Sequence, residues 1–325
     1  MARSGSYDFT VTRDNIIEGA LRLLGFLGEA QSPTSDQLTQ CGRALNLMIR
    51  AWQAKGIALW KNIECVLFVQ ADQVKYRLGS TMQSTYGDYA CLFTDYVQTT
   101  ISADEAAAQT TISATSETGV TNGDFLGVET DNGDIHWSTQ NGVPAGSGLT
   151  LATGLDYAAS AGNYIYSGFA AIIQRPLEIV QAWRRTSDEN DTPIDVISVD
   201  EYRRLTTKTN EADPTTIAPE YLLDDMNVYL WPEPNDMKTR IHLVLKYMFE
   251  DFDAEANNPD FPVEWHEAIQ YNLAIRLAAE YSRPVSEEVK YVAQMSLAEA
   301  EMSSVEQSST YLSPNVRSHR RFPSG

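Results

Sequence analysis

Apolar positions recur at helical spacing near both ends of the chain and at strand spacing between them. Ile16, Ile17, Ala20, Leu21 and Leu24 fall on one helix face, and Gly25 and Gly28 stop the run. Thr34-Ser35-Asp36-Gln37 then has the capping-box pattern, in which the Thr34 hydroxyl caps a backbone amide while Gln37 reaches back. Behind it Leu38, Cys41, Leu45, Met48, Ile49 and Trp52 form an apolar stripe ended by Gly56. This predicts a helical hairpin over residues 1–60, with Leu21, Leu24, Leu45, Met48 and Trp52 in its core.

From Leu59 the pattern turns to strands. Cys65 to Val69 and Val74 to Leu78 read as the first two, and Ile172-Ile173 and Ile179 to Trp183 as later ones. Ser198-Val199-Asp200-Glu201 is a second capping box, opening a short helix through Tyr202 and Leu205. Asn227 to Trp231 is a strand that Pro232 and Pro234 terminate. In Ile241, Leu243, Leu245 and Tyr247, alternating with His242, Val244 and Lys246, the period is that of a half-buried strand. These segments make a β-rich block of residues 61–92 and 168–260 that closes on an acidic loop, Glu250 to Asp260. Within it, residues 93–167 differ in composition, being rich in Thr, Ser, Gly and Ala. Asn122-Gly123, Asn132-Gly133 and Asn141-Gly142 punctuate this stretch, and Asn-Gly is a strong hairpin signal because both residues tolerate positive φ. Phe125, Val128, Ile135, Trp137, Leu149 and Leu151 supply short strands between the turns, predicting an all-β insertion of sandwich or barrel type.

Helical spacing returns over 261–307. Pro262 sits where a first-turn proline is favoured, and Glu264 and Glu267 lie near the positive helix end. Trp265, Ile269, Leu273 and Leu277 form the stripe, which Pro284 ends. Ser286 with Glu287 and Glu288 opens the last helix, carried to about Val305. Trp265, Leu273 and Leu277 are expected to complete the core begun at the N-terminus. The fold class is therefore α+β: N- and C-terminal helices packed together, a mixed β block and an all-β insertion. Residues 308–325 have no helical period, no acid and three arginines, Arg317, Arg320 and Arg321, which predicts an extended basic tail.

Composition narrows the classes of function. A chain of 325 residues is long enough for two domains or for one with a large insertion. No stretch approaches the ~20 apolar residues needed to cross a bilayer, and Met1 to Ser6 lacks a signal-peptide core, so cytoplasmic synthesis and no membrane partner are expected. A net charge of −20 argues against general nucleic-acid binding, which draws on Lys and Arg, but not against DNA sliding past. The three cysteines, Cys41, Cys65 and Cys91, read as buried thiols.

Candidate chemistry is sparse. His136, His242, His266 and His319 never fall in the i, i+4 pairing that builds a zinc site, and Gln270 stands where a second ligand to partner His266 would be. Asp131-Asn132-Gly133-Asp134 lacks the terminal Glu of a calcium loop and reads as a turn. Carboxylate pairs such as Asp188 with Glu189, Asp224 with Asp225 and Asp251 with Asp253 are expected from 44 acids. There is no nucleophile elbow or phosphate loop. Trp137 and Tyr157 are stacking candidates for sugar rings, although aromatics of this kind more often fill a core. The expectation is a non-enzyme without metal or cofactor.

Several segments in fixed order resemble the head-to-tail adaptor (phage stabilisation, or tail accessory) proteins of short-tailed bacteriophages. They are Ala20 to Gly25, Leu45 to Trp52, Gly56 to Trp60, Arg175 to Ile179, Asp200 to Leu205, Asn227 to Pro234 and the helix from Phe261 to Tyr281. The resemblance implies a structural virion protein of the neck and tail. It would form a homo-oligomeric ring, twelve-fold by family expectation, between the portal protein and the tail nozzle protein. DNA would pass through its channel without sequence-specific binding. In such proteins a C-terminal extension threads into the portal. Here that is Asn315 to Pro323, with Asn315, Arg317, Arg320 and Arg321 as polar contacts and Phe322 as an apolar anchor. The β insertion is not covered by this resemblance; rim decoration, tail-fibre contact and nozzle docking stay open for it. Two other readings remain: a glycan- or host-binding tail component acting through the insertion, and a cell-wall hydrolase using an acidic pair.

Overall fold

A computed structural model of the chain describes residues 11–28, 30–55, 62–79, 91–144, 146, 148–168, 175–186, 188–247, 252 and 261–303. In chain order the elements begin with helices α1 (Arg13–Leu23) and α2 (Ser35–Ala54), followed by strands β1 (Asn62–Phe68), β2 (Lys75–Gly79), β3 (Cys91–Phe93), β4 (Val97–Thr100) and β5 (Thr111–Ser113). Next come β6 (Phe125–Glu129), β7 (Ile135–Thr139), β8 (Gly148–Thr150), β9 (Tyr164–Gly168), β10 (Glu178–Arg185), β11 (Asp191–Pro193) and β12 (Asp195–Val196). The chain continues through α3 (Val199–Arg204), β13 (Thr216–Tyr221), β14 (Asp225–Trp231), β15 (Arg240–Lys246), α4 (Glu264–Glu280) and α5 (Glu287–Ser303). Mixed α+β architecture thus follows, with the N- and C-terminal helices in contact. The predicted strand at Ile172-Ile173 and nearly all of the acidic loop lie outside the described residues.

The chain divides into two compact units, Met1–Trp60 with Glu250–Gly325, and Lys61–Phe249. In the first, α4 packs against α1, α2 and α5. Leu21, Leu24, Leu45, Met48, Trp52, Trp265, Leu273 and Leu277 are all buried there. The rings of Trp52 and Trp265 meet edge to face at 5.9 Å, joining sequence ends that are far apart in the chain. Asn272 of α4 donates to the carbonyl of Ala293 on α5 at 3.0 Å. Helix ends obey local chemistry. Thr34 and Gln37 form the full capping box of α2. Gly25, at φ +63°, closes α1 by letting the Phe26 amide reach the Leu21 carbonyl. Helix α4 starts two residues later than its proline suggested: its first residue is Glu264 and its N-cap is Val263. Pro262 therefore precedes the helix, its carbonyl accepting from the Trp265 amide. The helix also stops before Pro284, where Ser282 at φ +52° lets the Arg283 amide return to the Ala278 carbonyl.

The second unit is built from sheets whose named strands pair antiparallel among the described residues, except β12, which runs parallel to β13. One sheet has the order β11-β10-β15-β1-β3 and another β12-β13-β14-β2. A third, β4-β9-β6-β7, lies in the segment read as an insertion, with the two-stranded β5-β8 sheet beside it. Side-chain alternation sends the two faces of the third sheet into different cores. Leu126, Val128 and Ile165 join Ile112, Leu149 and Leu151 in a small core that includes β5 and β8. Phe125, Ile135, Trp137 and Tyr166 join Phe68, Tyr76, Leu243 and Leu245 in the larger one. Such doubly buried strands read as continuous apolar runs rather than as clean alternation.

Of the three Asn-Gly pairs, only Asn132-Gly133 closes a hairpin, between β6 and β7. Asn122-Gly123 and Asn141-Gly142 instead stand opposite each other, the Gly142 amide donating to Asn122 Oδ1 at 2.7 Å. All three glycines have φ near +90°, whereas none of their three asparagines has a positive φ, so none is the two-residue turn in which both positions are left-handed.

Candidate functional site

Each element of the described chemistry resolves into a structural role before any surface does. His136 on β7 holds Asp156 Oδ2 at 2.8 Å through Nδ1. Its Nε2 lies 3.3 Å from the Thr153 carbonyl and 3.4 Å from the Thr153 hydroxyl. Asp, His and hydroxyl in this order resemble a proton relay, and sequence spacing gave no hint of it. Both imidazole nitrogens, however, face acceptors, and the Thr153 hydroxyl donates its proton to Ser138 Oγ at 2.9 Å. The ring clamps a loop rather than activating a nucleophile. His242 stacks on Trp183 at 5.3 Å and meets Glu64 at 3.2 Å. Burial pushes its pKa down while Glu64 opposes the shift. His266 is likewise lowered by burial. His319 lies outside the described residues.

Cys65 and Cys91, remote in sequence, come to 3.3 Å between their sulfurs, and burial pushes the Cys65 thiol well up, away from nucleophilic thiolate. Cys41 faces the Tyr281 hydroxyl at 3.4 Å. Asp131, in the loop with calcium-like spelling, accepts from the Ser160 amide and hydroxyl, each at 2.9 Å, and its pKa falls through those bonds. Among the described residues no group of three or more His, Cys, Asp or Glu is gathered as a metal ion requires. Trp137 is buried against Phe68 at 5.6 Å, so it is unavailable to stack on a sugar; Tyr157 is exposed.

One concave surface stands out in the helical unit. Arg13 of α1, Thr39, Gly42, Arg43, Asn46, Leu47 and Arg50 of α2, and Phe252 line a cavity of about 460 Å³. Asn46 fixes Phe252 at its edge: Asn46 Oδ1 accepts from the Phe252 amide at 3.0 Å, and Asn46 Nδ2 donates to the Phe252 carbonyl at 3.4 Å. Arg13 bonds Asp14 at 2.9 Å and lies almost wholly buried, its stem against Gly42. Arg43 and Leu47 are exposed and Arg50 is half-buried. Three guanidinium groups on one groove are notable in a chain of net charge −20. Arg43, Leu47 and Arg50 follow helical spacing on the side of α2 opposite its core stripe, so a reading attentive only to the apolar face passes over them.

In the same unit, α5 packs on α4 and turns Val289, Ala293, Ser296 and Ala300 inward. It leaves Tyr291 65%, Met295 43% and Met302 77% exposed. Asn315, Arg317, Arg320, Arg321 and Phe322, expected to contact a portal, lie outside the described residues. Among the described residues no helix is long and apolar enough to cross a membrane.

A family model described as SU10 adaptor protein matches residues 143–318, more than half of the chain. The matched span begins ahead of β8 and covers β9 to β15, α3, α4 and α5. The search of curated proteins returned no match.

Proposed function

The chain belongs to the SU10 adaptor protein family, a family of phage head-to-tail adaptors, and from that premise we propose that it is a ring-forming neck component joining the portal to the tail nozzle. Its role as an adaptor structural protein follows from the family; the partners, the ring and the channel are the finer reading. That reading places it in the virion and takes portal, nozzle and further copies of this chain as its partners, with twelve copies expected. DNA passes through the ring without sequence-specific contact.

The observation that carries the reading is the extent of the family match. It runs through both C-terminal helices and on to residue 318, taking in Asn315 and Arg317 of the basic tail. The tail is proposed as the portal anchor, its arginines meeting carboxylates in charge-assisted bonds and ordering as they bind. The acidic balance gives the channel a use as well. A negative wall repels DNA over about 8–10 Å at physiological salt, so the duplex does not adhere.

Cosedimentation with the purified portal of the cognate phage tests both parts. Full-length protein should pellet with the portal, and a chain truncated after Ser308 should not. Binding by both forms would move the interface from the tail to the helical body. Binding by neither would remove the portal from the reading.

A further inference from the structure

We propose that Cys65 and Cys91 form a redox pair: two thiols in the reducing cytoplasm that become a disulfide once the protein has left the cell, locking the base of the insertion. The change of surroundings rests on the virion reading above. The bond itself rests on the sheet.

The two sulfurs stand 3.3 Å apart although 26 positions separate them in the chain. Register sets this approach. Cys65 pairs with Phe93 and Leu67 with Cys91, so the cysteines are diagonal neighbours on one face of the β1–β3 ladder. Both are buried in the larger core, at 1% and 3% exposure, so the fold itself holds them together. Cys41 belongs to the other unit, where it faces Tyr281. The buried Tyr247 hydroxyl lies within electrostatic reach of both sulfurs and has no hydrogen-bond partner among the described residues. It is a donor for the thiolate that exchange requires. Closing the sulfurs to about 2 Å asks for a small shift of β3. That strand has three residues, stands at the end of its sheet and pairs with β1 alone. An edge of this kind opens at lower cost than the strands inside, so a small disulfide reaches Cys91 first.

Thiol–disulfide exchange then balances without further reactants. The Cys91 thiolate attacks one sulfur of oxidised glutathione, forms a mixed disulfide and releases one glutathione thiol. Cys65 gives up its proton, attacks the Cys91 sulfur and expels the second glutathione. Two electrons pass from the pair to oxidised glutathione, and the two protons end on the two glutathione thiols. Burial pushes the Cys65 thiol up, which keeps the reduced pair slow to react while β3 is closed. The bond would fasten a junction. Strand β3 leads into β4, and its Leu92 packs on Gly168, the last residue of β9, where an added Cβ would stand 2.9 Å from the leucine. A tie from β1 to β3 therefore holds the place where the chain enters and leaves the insertion, and it removes freedom from the unfolded chain.

The purified full-length chain, first reduced, is equilibrated under native conditions in glutathione buffers of rising oxidised fraction. It is then acid-quenched, unfolded and alkylated with N-ethylmaleimide. At the oxidised end only Cys41 of the three cysteines should be alkylated, and digestion should release the Cys65 peptide joined to the Cys91 peptide. The oxidised chain should melt roughly 5–10 °C above the reduced one, a rise absent when Cys65→Ala is compared between the same two buffers. Three alkylated cysteines at the oxidised end overturn the proposal, as does a bond that includes Cys41 or an oxidised chain no more stable than the reduced one. Alkylation during harvest reads the change of compartment: three thiols are expected inside infected cells and the bond in released virions. Free thiols at Cys65 and Cys91 in virions would overturn the switch. A bond in the purified chain, with the protein absent from virions, would remove the adaptor reading and leave the pair standing.

Discussion

At Gly127 a single missing methyl group makes room for an indole. A Cβ built there would stand 2.7 Å from the ring of Trp137, its partner across β6 and β7. Gly127→Ala should push that ring out of the core and cost about 1–3 kcal/mol, read as a lower denaturant midpoint. Ser282 presents the opposite case. It holds φ +52° at the end of α4, where glycine fits without strain. Ser282→Gly should raise stability by about 0.5–1 kcal/mol, seen as a small upward shift in Tm. His242 adds a pH dependence. Its pKa is lowered by burial, so the unfolded chain binds the proton more tightly than the folded one. Stability should be fully present above pH ~6.5 and fall as pH drops through the folded value. Denaturant titrations from pH 8 to 5 should show that decline, with a shallower slope in His242→Gln; equal slopes would remove His242 as the cause. None of these three effects was legible in the chain alone. Gly127 gives no local signal, because its partner Trp137 is set by register and not by pattern. Ser282 carries no glycine-like signal, and the burial of His242 depends on Trp183 from another strand.

Helix ends, by contrast, were written locally. The boxes at Thr34 and Ser198 fold as spelled, because both partners lie within four residues and need no tertiary help. Thr34→Ala should therefore cost about 1 kcal/mol of stability, measurable by chemical denaturation. The stripes of α1, α2 and α4 are equally legible, since a 3.6-residue period reports one buried face directly. The β-rich segment was harder to read for a physical reason. Strands β6 and β9 bury apolar side chains on both faces, one in each core, so the polar alternation that marks a half-exposed strand is missing. Asn-Gly spelling identified three turns but not their partners. A turn that joins paired strands and one that braces a neighbouring loop have the same local sequence. The groove on α2 was passed over because its residues carry charge, and charge on a helix face usually means only solvent.

For the whole molecule, the division into two units sets the expected unfolding behaviour. Calorimetry should resolve two transitions, and Trp265→Ala should lower only the one that belongs to the helices, by about 3–5 kcal/mol. A single transition shifted as a block would mean that the units unfold as one. The charge of −20 makes a further prediction, that duplex DNA is not retained at physiological salt in a mobility-shift assay. Retention would argue against a wall past which DNA slides. The pairing of Trp52 with Trp265 also places the helical unit on a clock. Helix α2 leaves the ribosome early, whereas α4 follows only after the whole β-rich unit has been made. At about 5–20 residues per second the wait is roughly 10–40 s. During that interval the first two helices have no α4 to cover their apolar stripes, and α5 does not yet exist. Keeping those stripes from other nascent chains until α4 arrives is thus a demand that the order of translation itself sets.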